Sequence, residues 1–235
     1  MHIFVYNGRS SADFGLAISG EDTWKKPAPD IELVQVPGRN GDLLVNNNRF
    51  LNADIVYHVG VRRGFDTKFQ AFINFLMNSP GYHRLEDSYH PDHYRMAAAG
   101  SAVEPSMFAY NHGGTFDLVF TCKPQMYLKA GEKVRTFTAA GTILNPTLFD
   151  AQPLIRVYGS GALGVGSETL TITDNTNNYI DIDCDLQDAY RGSANMNAKV
   201  TLSSGEFPVL HPGSTGITLG SGITKVEITP RWWCL

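Results

Sequence analysis

A chain of 235 residues with 43% hydrophobic and 11% aromatic content has enough apolar material for packed cores, which excludes an extended disordered chain. The formal net charge is −4, from 19 basic and 23 acidic residues, and the densest basic spot is Arg62-Arg63 with Lys68 nearby. Without a basic stripe to neutralise phosphates, specific nucleic-acid binding is not expected, and no run reaches the ~18 apolar residues of a membrane span.

The opening Met1-His2-Ile3-Phe4-Val5-Tyr6-Asn7 has neither a basic flank nor a long apolar stretch, so no signal peptide and a cytoplasmic site of folding are expected. Ile31–Val36 and Leu43–Val45 flank Pro37-Gly38-Arg39-Asn40-Gly41, a hairpin tip by its turn formers. Ile55, Tyr57, Val59 and Val61 then alternate with polar residues and share one face of a strand. Phe65, Phe69, Phe72, Ile73 and Leu76 recur at helical spacing, which predicts a helix from about Asp66 to Met77. Asp66 or Thr67 is the expected cap, and Asn78-Ser79-Pro80-Gly81 the stop. Phe116, Leu118, Phe120 and Cys122 mark another half-buried strand.

Between Leu128 and Asp150 the composition turns polar and small, and a domain junction is placed there, giving domains 1–135 and 136–235. The second half restarts as short strands at 153–158, 169–173, 179–184, 217–219 and 223–229. Turns at Gly159-Ser160-Gly161, 174–178 and Gly220-Ser221-Gly222 separate them, a spacing that predicts an antiparallel sandwich.

Chemistry-bearing patterns are few. Cys122, Cys184 and Cys234 are odd in number and far apart, which argues for reduced thiols and against a disulfide framework or zinc site. Asp181, Asp183 and Asp185 share one strand face by period two, with Ile180, Ile182, Cys184 and Leu186 facing the core. A cation could sit there with Asp174, Asn175 and Asn178, but the spacing of a calcium loop is missing and a solvated face is expected. His90-Pro91-Asp92-His93, with His83 upstream, has a proline between its imidazoles and reads as a loop without metal. Glu86 and Asp87 are neighbours, so in a strand they point to opposite faces and form no acid/base couple. No catalytic residue, metal or cofactor is expected.

Several segments taken in order carry a family resemblance: Ser11–Leu16, Val36–Gly41, Pro80–Asp87, Thr121–Gln125, Pro153–Gly161, Ile182–Cys184, Asp188–Tyr190, Glu206–Pro208, Pro212–Gly213 and Pro230–Trp233. Together they resemble the distal tail proteins of long, flexible-tailed (siphovirus-type) bacteriophages and prophages. The resemblance implies a mainly β chain. Residues 1–135 would form an N-terminal β-rich, ring-forming belt domain with one α-helix. Residues 136–235 would form a C-terminal galectin-like antiparallel β-sandwich. It further implies a homo-hexamer at the virion tail tip, assembled in the host bacterial cytoplasm. That ring joins the major tail tube protein to the central tip hub (tail-associated) protein and in some members docks receptor-binding proteins. Galectin sugar sites need a His/Asn/Arg cluster and a stacking Trp, whereas the second half has His211 in a turn and Trp232-Trp233 at its end, one expected in the core and one over a seam.

A ring needs two different complementary patches per subunit. The candidates are the hairpin tip Pro37, Gly38, Arg39, Asn40 and Gly41, and the loop around Tyr89, His90 and Tyr94, both expected to be exposed with rigid or aromatic anchors. The alternatives are a carbohydrate-binding module recognising host cell-wall glycan, which requires an exposed aromatic platform, and a wall-degrading hydrolase, which requires carboxylates or a metal in one cleft.

Overall fold

The computed structural model describes residues 2–100, 102–110, 112–174 and 178–235, in two compact units: 1–126 with residue 235, and 127–234. Most of the turn expected at 174–178, with Asn175 of the weighed cation site, lies outside the described residues. No helix among them is long and apolar enough to cross a membrane.

The first unit holds β1 (Phe4–Tyr6), β2 (Arg9–Ser10), β3 (Ala17–Ser19), β4 (Pro29–Val34), β5 (Leu43–Phe50), β6 (Ala53–Val61), α1 (Phe65–Met77), β7 (His83–Asp87), β8 (His93–Ala99), β9 (Ser106–Ala109) and β10 (Gly113–Leu128). Its main sheet runs β2-β1-β7-β8-β10-β6-β3, while β4 and β5 pair only with each other. The alternation seen in the sequence sets the core. β6 lies antiparallel on β10 with Val59 opposite Phe116, Tyr57 opposite Leu118 and Ile55 opposite Phe120, and all six are at most 3% exposed. Against this face α1 lays Phe65, Phe72 and Leu76. Phe72 meets Phe4, Phe14 and Phe116 at ring separations of 5.9, 5.5 and 6.1 Å. The helix begins one residue before the expected caps. Gly64 at φ 64° precedes it and no side chain caps it, because Phe65 is drawn into the first turn by its contacts with Phe69 and Phe116.

The second unit is an antiparallel sandwich. Its strands are β11 (Arg135–Phe137), β12 (Gly141–Asn145), β13 (Leu154–Gly159), β14 (Gly161–Val165), β15 (Glu168–Ile172), β16 (Tyr179–Asp183), β17 (Asp188–Arg191), β18 (Ala194–Asn195), β19 (Val200–Leu202), β20 (Gly213–Leu219) and β21 (Ile223–Thr229). One sheet runs β11-β21-β13-β16-β17-β18 and the other β12-β20-β14-β15-β19. Their inner faces enclose Ile155, Val157, Leu163, Leu170, Ile182, Ile217, Val226 and Ile228. Because β11 pairs with β21, the stretch from Tyr127 to Arg135, read from sequence as the end of the first domain, lies in this unit. The chain changes sheets at two glycine turns that touch. Ser160 N–H donates to Gly222 C=O at 3.2 Å, and Gly220 N–H to Ala162 C=O at 2.7 Å. Gly159 has φ 98°, and a Cβ there would stand 2.1 Å from Gly222 O, so this crossing admits no side chain.

The expected solvated acidic face is corrected here. Asp181 and Asp183 are 5% and 3% exposed, and each carboxylate is clamped by an arginine through two hydrogen bonds. Arg156 Nε and Nη2 reach Asp181 at 2.6 and 2.9 Å, while Arg231 Nη1 and Nη2 reach Asp183 at 2.7 and 2.8 Å. Buried carboxylates persist only when paired in this way. β16 ends at Asp183, whose Oδ1 accepts the N–H groups of Asp185 and Leu186, so Asp185 leaves the face and Leu186 is 69% exposed instead of in the core.

Burial opposes ionisation of Asp183, but the Arg231 guanidinium and the Leu186 and Asp185 amides outweigh it and hold the carboxyl below its ordinary value. The stabilisation is therefore fully present above the ~3.9 of a free aspartate and is lost as pH falls through the lowered value. Stability measured by denaturant titration of wild type and Asp183→Asn should converge as pH drops through this range; a constant gap would show that the pair contributes nothing to acid sensitivity.

Candidate assembly surfaces

The hairpin of β4 and β5 is the first surface. Its ladder places Leu33 opposite Leu44 and Val34 opposite Leu43, and the tip turns on Gly38 and Gly41 at φ 80° and 83°; Asn40 does not take positive φ. Pro37, Gly38, Arg39, Asn40 and Gly41 are all exposed. So are Ile31, Leu33, Val34, Val36, Leu43, Leu44 and Val45, with Leu33 at 62% and Leu44 at 57%. An isolated two-stranded ribbon is marginal in water, and a contiguous exposed apolar patch marks an interaction surface. The sequence reading found the tip and missed these shaft residues. Their signal was available: apolar residues occupy consecutive positions in both strands, which one buried face cannot absorb.

The second expected surface, the loop around Tyr89, His90 and Tyr94, is largely internal. His90 is 5% exposed, with Nδ1 3.0 Å from Asp87 Oδ1 and its ring 4.5 Å from that of Trp24. Its Nε2 is buried and has no hydrogen-bond partner among the described residues. Tyr89 is half-buried, stacked on His2 at 4.3 Å. It also packs so tightly on Gly20 that a Cβ there would lie 2.3 Å from the ring. Tyr94 lies in β8 beneath the Arg84 guanidinium, 3.8 Å from its ring centre. The turn folds inward because Asp87 gathers its neighbours. The carboxylate accepts the N–H groups of Tyr89 and His90 and the Tyr57 hydroxyl at 2.7 Å, and Arg95 stands 3.9 Å away. Burial, and then the Asp87 charge, push the Tyr57 phenol well above its ordinary value.

An exposed aromatic segment elsewhere escaped the sequence reading: Met107 and Phe108 in β9, and Tyr110 just after it, are 51%, 75% and 88% exposed. In the second unit every described Phe, Tyr and Trp is buried or half-buried. Trp232 is 2% exposed in the core, and Trp233 stacks on Phe149 at 4.4 Å while its Nε1 donates to Asp150 C=O. His211 pairs with Asp150 at 2.8 Å. Among the described residues no group of three or more His, Cys, Asp or Glu is arranged to hold a metal. Burial pushes the Cys122 and Cys184 thiols up to about 12, which leaves them un-ionised and unreactive.

Removing one partner of a buried charged cluster leaves the others uncompensated, so Asp87→Ala is expected to destabilise the first unit by about 3–5 kcal/mol in denaturant unfolding. A loss below about 1 kcal/mol, the range of a surface pair, would show that the cluster does not hold this turn.

No protein-family model matches the sequence, and no curated protein matches it either. Solved structures share its fold. The Dit protein of phage SPP1, described as a paradigm of the hub adsorption apparatus in Gram-positive-infecting phages, superposes with a TM-score of 0.75 at 14% identity over 100% of both chains. A chain of the phage P2 baseplate in its activated conformation with calcium gives 0.53 at 9% identity over 97% of both chains. The corresponding strontium structure gives 0.50 at 9% identity over 99% of both. The likeness to SPP1 Dit spans both units, so the chain shares the fold of that protein over its full length.

Proposed function

We propose that this chain is a structural subunit of a phage tail tip, which self-associates into a hexameric ring between the tail tube and the central hub. The observation that carries the reading is the hairpin of β4 and β5, an apolar ribbon that pairs with no other strand among the described residues. The fold shared with SPP1 Dit over the full length supports the setting. Cyclic assembly needs a projecting element on each copy and a different receiving surface on the next. A ribbon with apolar residues on its shaft and Arg39 at its tip is suited to be the projecting element. The paired arginines and aspartates of the second unit, and its buried, un-ionised Cys184 thiol, supply no nucleophile or acid/base couple, which supports a structural role over an enzymatic one. The lack of an exposed aromatic ring among that unit's described residues counts against a glycan platform. The second unit as a dock for receptor-binding proteins, and assembly in a host cytoplasm, belong to the same proposal.

Native mass spectrometry of the chain should show a species of about six times the 25.8 kDa subunit. Leu33→Asp combined with Leu44→Asp places two like charges at one cross-strand position and should shift the population to monomer. Thermal stability of the monomer should be almost unchanged, because both side chains are exposed. Arg39→Glu should weaken assembly more mildly. An oligomer unaffected by the Leu33/Leu44 pair would remove the hairpin as the ring contact, and a wild type monomeric at its solubility limit would overturn the ring reading in isolation.

A further inference from the structure

We propose that the first unit carries a binding site for a phosphorylated small organic molecule, in the cavity between β3, the end of β6 and the start of α1. The cavity is half open and about 820 Å³ in volume. Arg62 and Arg63, the densest basic spot of the sequence, enter it from the connection after β6, Lys68 enters from the first turn of α1, and His2 closes one side. Among the described residues no carboxylate lines it, and none of Arg62, Arg63 and Lys68 makes an ion pair. Elsewhere in the chain Arg49, Arg156 and Arg231 each hold an aspartate. Three unpaired cations also stand next to the start of a helix, where the backbone dipole disfavours positive charge. Arg62 and Arg63 are exposed and Lys68 is half-buried, so all three remain available to an anion entering the cavity.

Two features show that the concavity is built and not incidental. Gly15, at φ 67°, lets Lys68 fold across the loop: a Cβ there would stand 2.9 Å from both Cε and Nζ of the lysine. Gly60 lies mid-sheet, paired with Ala17 and Thr115, and a Cβ on it would meet no atom within 4 Å, so its missing side chain is part of the open space. Glycine weakens a strand interior and marks places where something approaches the backbone closely.

The ligand class follows from charge and volume. Two planar guanidinium forks with an ammonium suit a phosphoryl dianion better than a single carboxylate. The volume far exceeds that of the ion itself and falls in the range of pockets for small organic ligands. Ala17 and Ile18 offer the remainder of the ligand an apolar wall. The phosphoryl group could belong to a polyol phosphate or to a nucleotide; the chemistry recognised is the same, and the site stands independently of ring formation.

The test is calorimetric titration of the whole chain with glycerol 3-phosphate, AMP and inorganic phosphate, at low and at physiological salt. At least one organic phosphate should bind saturably and more tightly than inorganic phosphate, and the better of the two identifies the source. Arg62→Gln with Arg63→Gln should weaken it by roughly tenfold or more. Gly60→Leu, which keeps all three charges and fills the cavity, should do the same while melting temperature holds. Three results overturn the site: no saturable binding of any probe, binding unchanged by Gly60→Leu, or inorganic phosphate binding as tightly as both esters. Binding of a poly-glutamate peptide in place of the phosphates would overturn it in favour of an acidic partner protein.

Discussion

The antiparallel register of β6 on β10 is the constraint on which the first unit rests. It runs without interruption from Ala53 opposite Cys122 to Val61 opposite Gly114, and between these ends the inner face carries Ile55, Tyr57, Val59, Phe116, Leu118 and Phe120. A slip of one residue would turn that whole set to solvent, so the register is strongly held. The aromatic cluster of Phe4, Tyr57, Phe72 and Phe120 forms on this platform, with ring separations of 5.4 to 6.0 Å around Phe4 and Tyr57. Helix α1 has only this face on which to bury Phe65, Phe72 and Leu76. The two surfaces proposed for recognition leave from opposite ends of β6. The exposed hairpin precedes Ala53, and the Arg62-Arg63 connection follows Val61. A rigid strand thus presents two segments that take no part in the core, which is how binding elements are usually mounted on a scaffold.

In the second unit the two buried aspartates are held in the fold by arginines. Asp181 and Asp183 sit where a period-two pattern places a shared face, but the partners that make their burial tolerable come from β13 and from the end of the chain. A buried carboxylate whose oxygens are engaged by a guanidinium has its charge already balanced, so it is a structural partner of that arginine. The glycine turns where the chain passes between sheets work in the same sense, since backbone carbonyls there pack where side chains would otherwise be.

Shared architecture carries function only through the surfaces mounted on it. At 14% identity the likeness to SPP1 Dit concerns the path of the backbone. The functional argument rests on this chain's own hairpin, because an apolar ribbon that buries nothing at home gains most by burying itself against another copy. The Asp87 turn shows the opposite outcome. Tyr89 and His90 have the composition of an interface loop, yet one carboxylate with several donors pulls them inside.

By itself the sequence determined the elements whose period is long enough to read: α1, the inner faces of β6 and β10, the hairpin tip, and the antiparallel β character of the second half. These follow from local backbone geometry and from the side-chain spacing of a helix or strand. Short strands such as β12 and β14 were not legible, because a few residues broken by glycine show no period. What only the tertiary structure decided is which of two possible faces is buried, and which distant residues meet. Asp183 reaches an arginine 48 residues away, and Lys68 folds over Gly15 into a cavity closed by His2. Burial of a charge and convergence of charges are properties of the packed chain, since the desolvation and Coulomb energies that govern them exist only once the partners are in place.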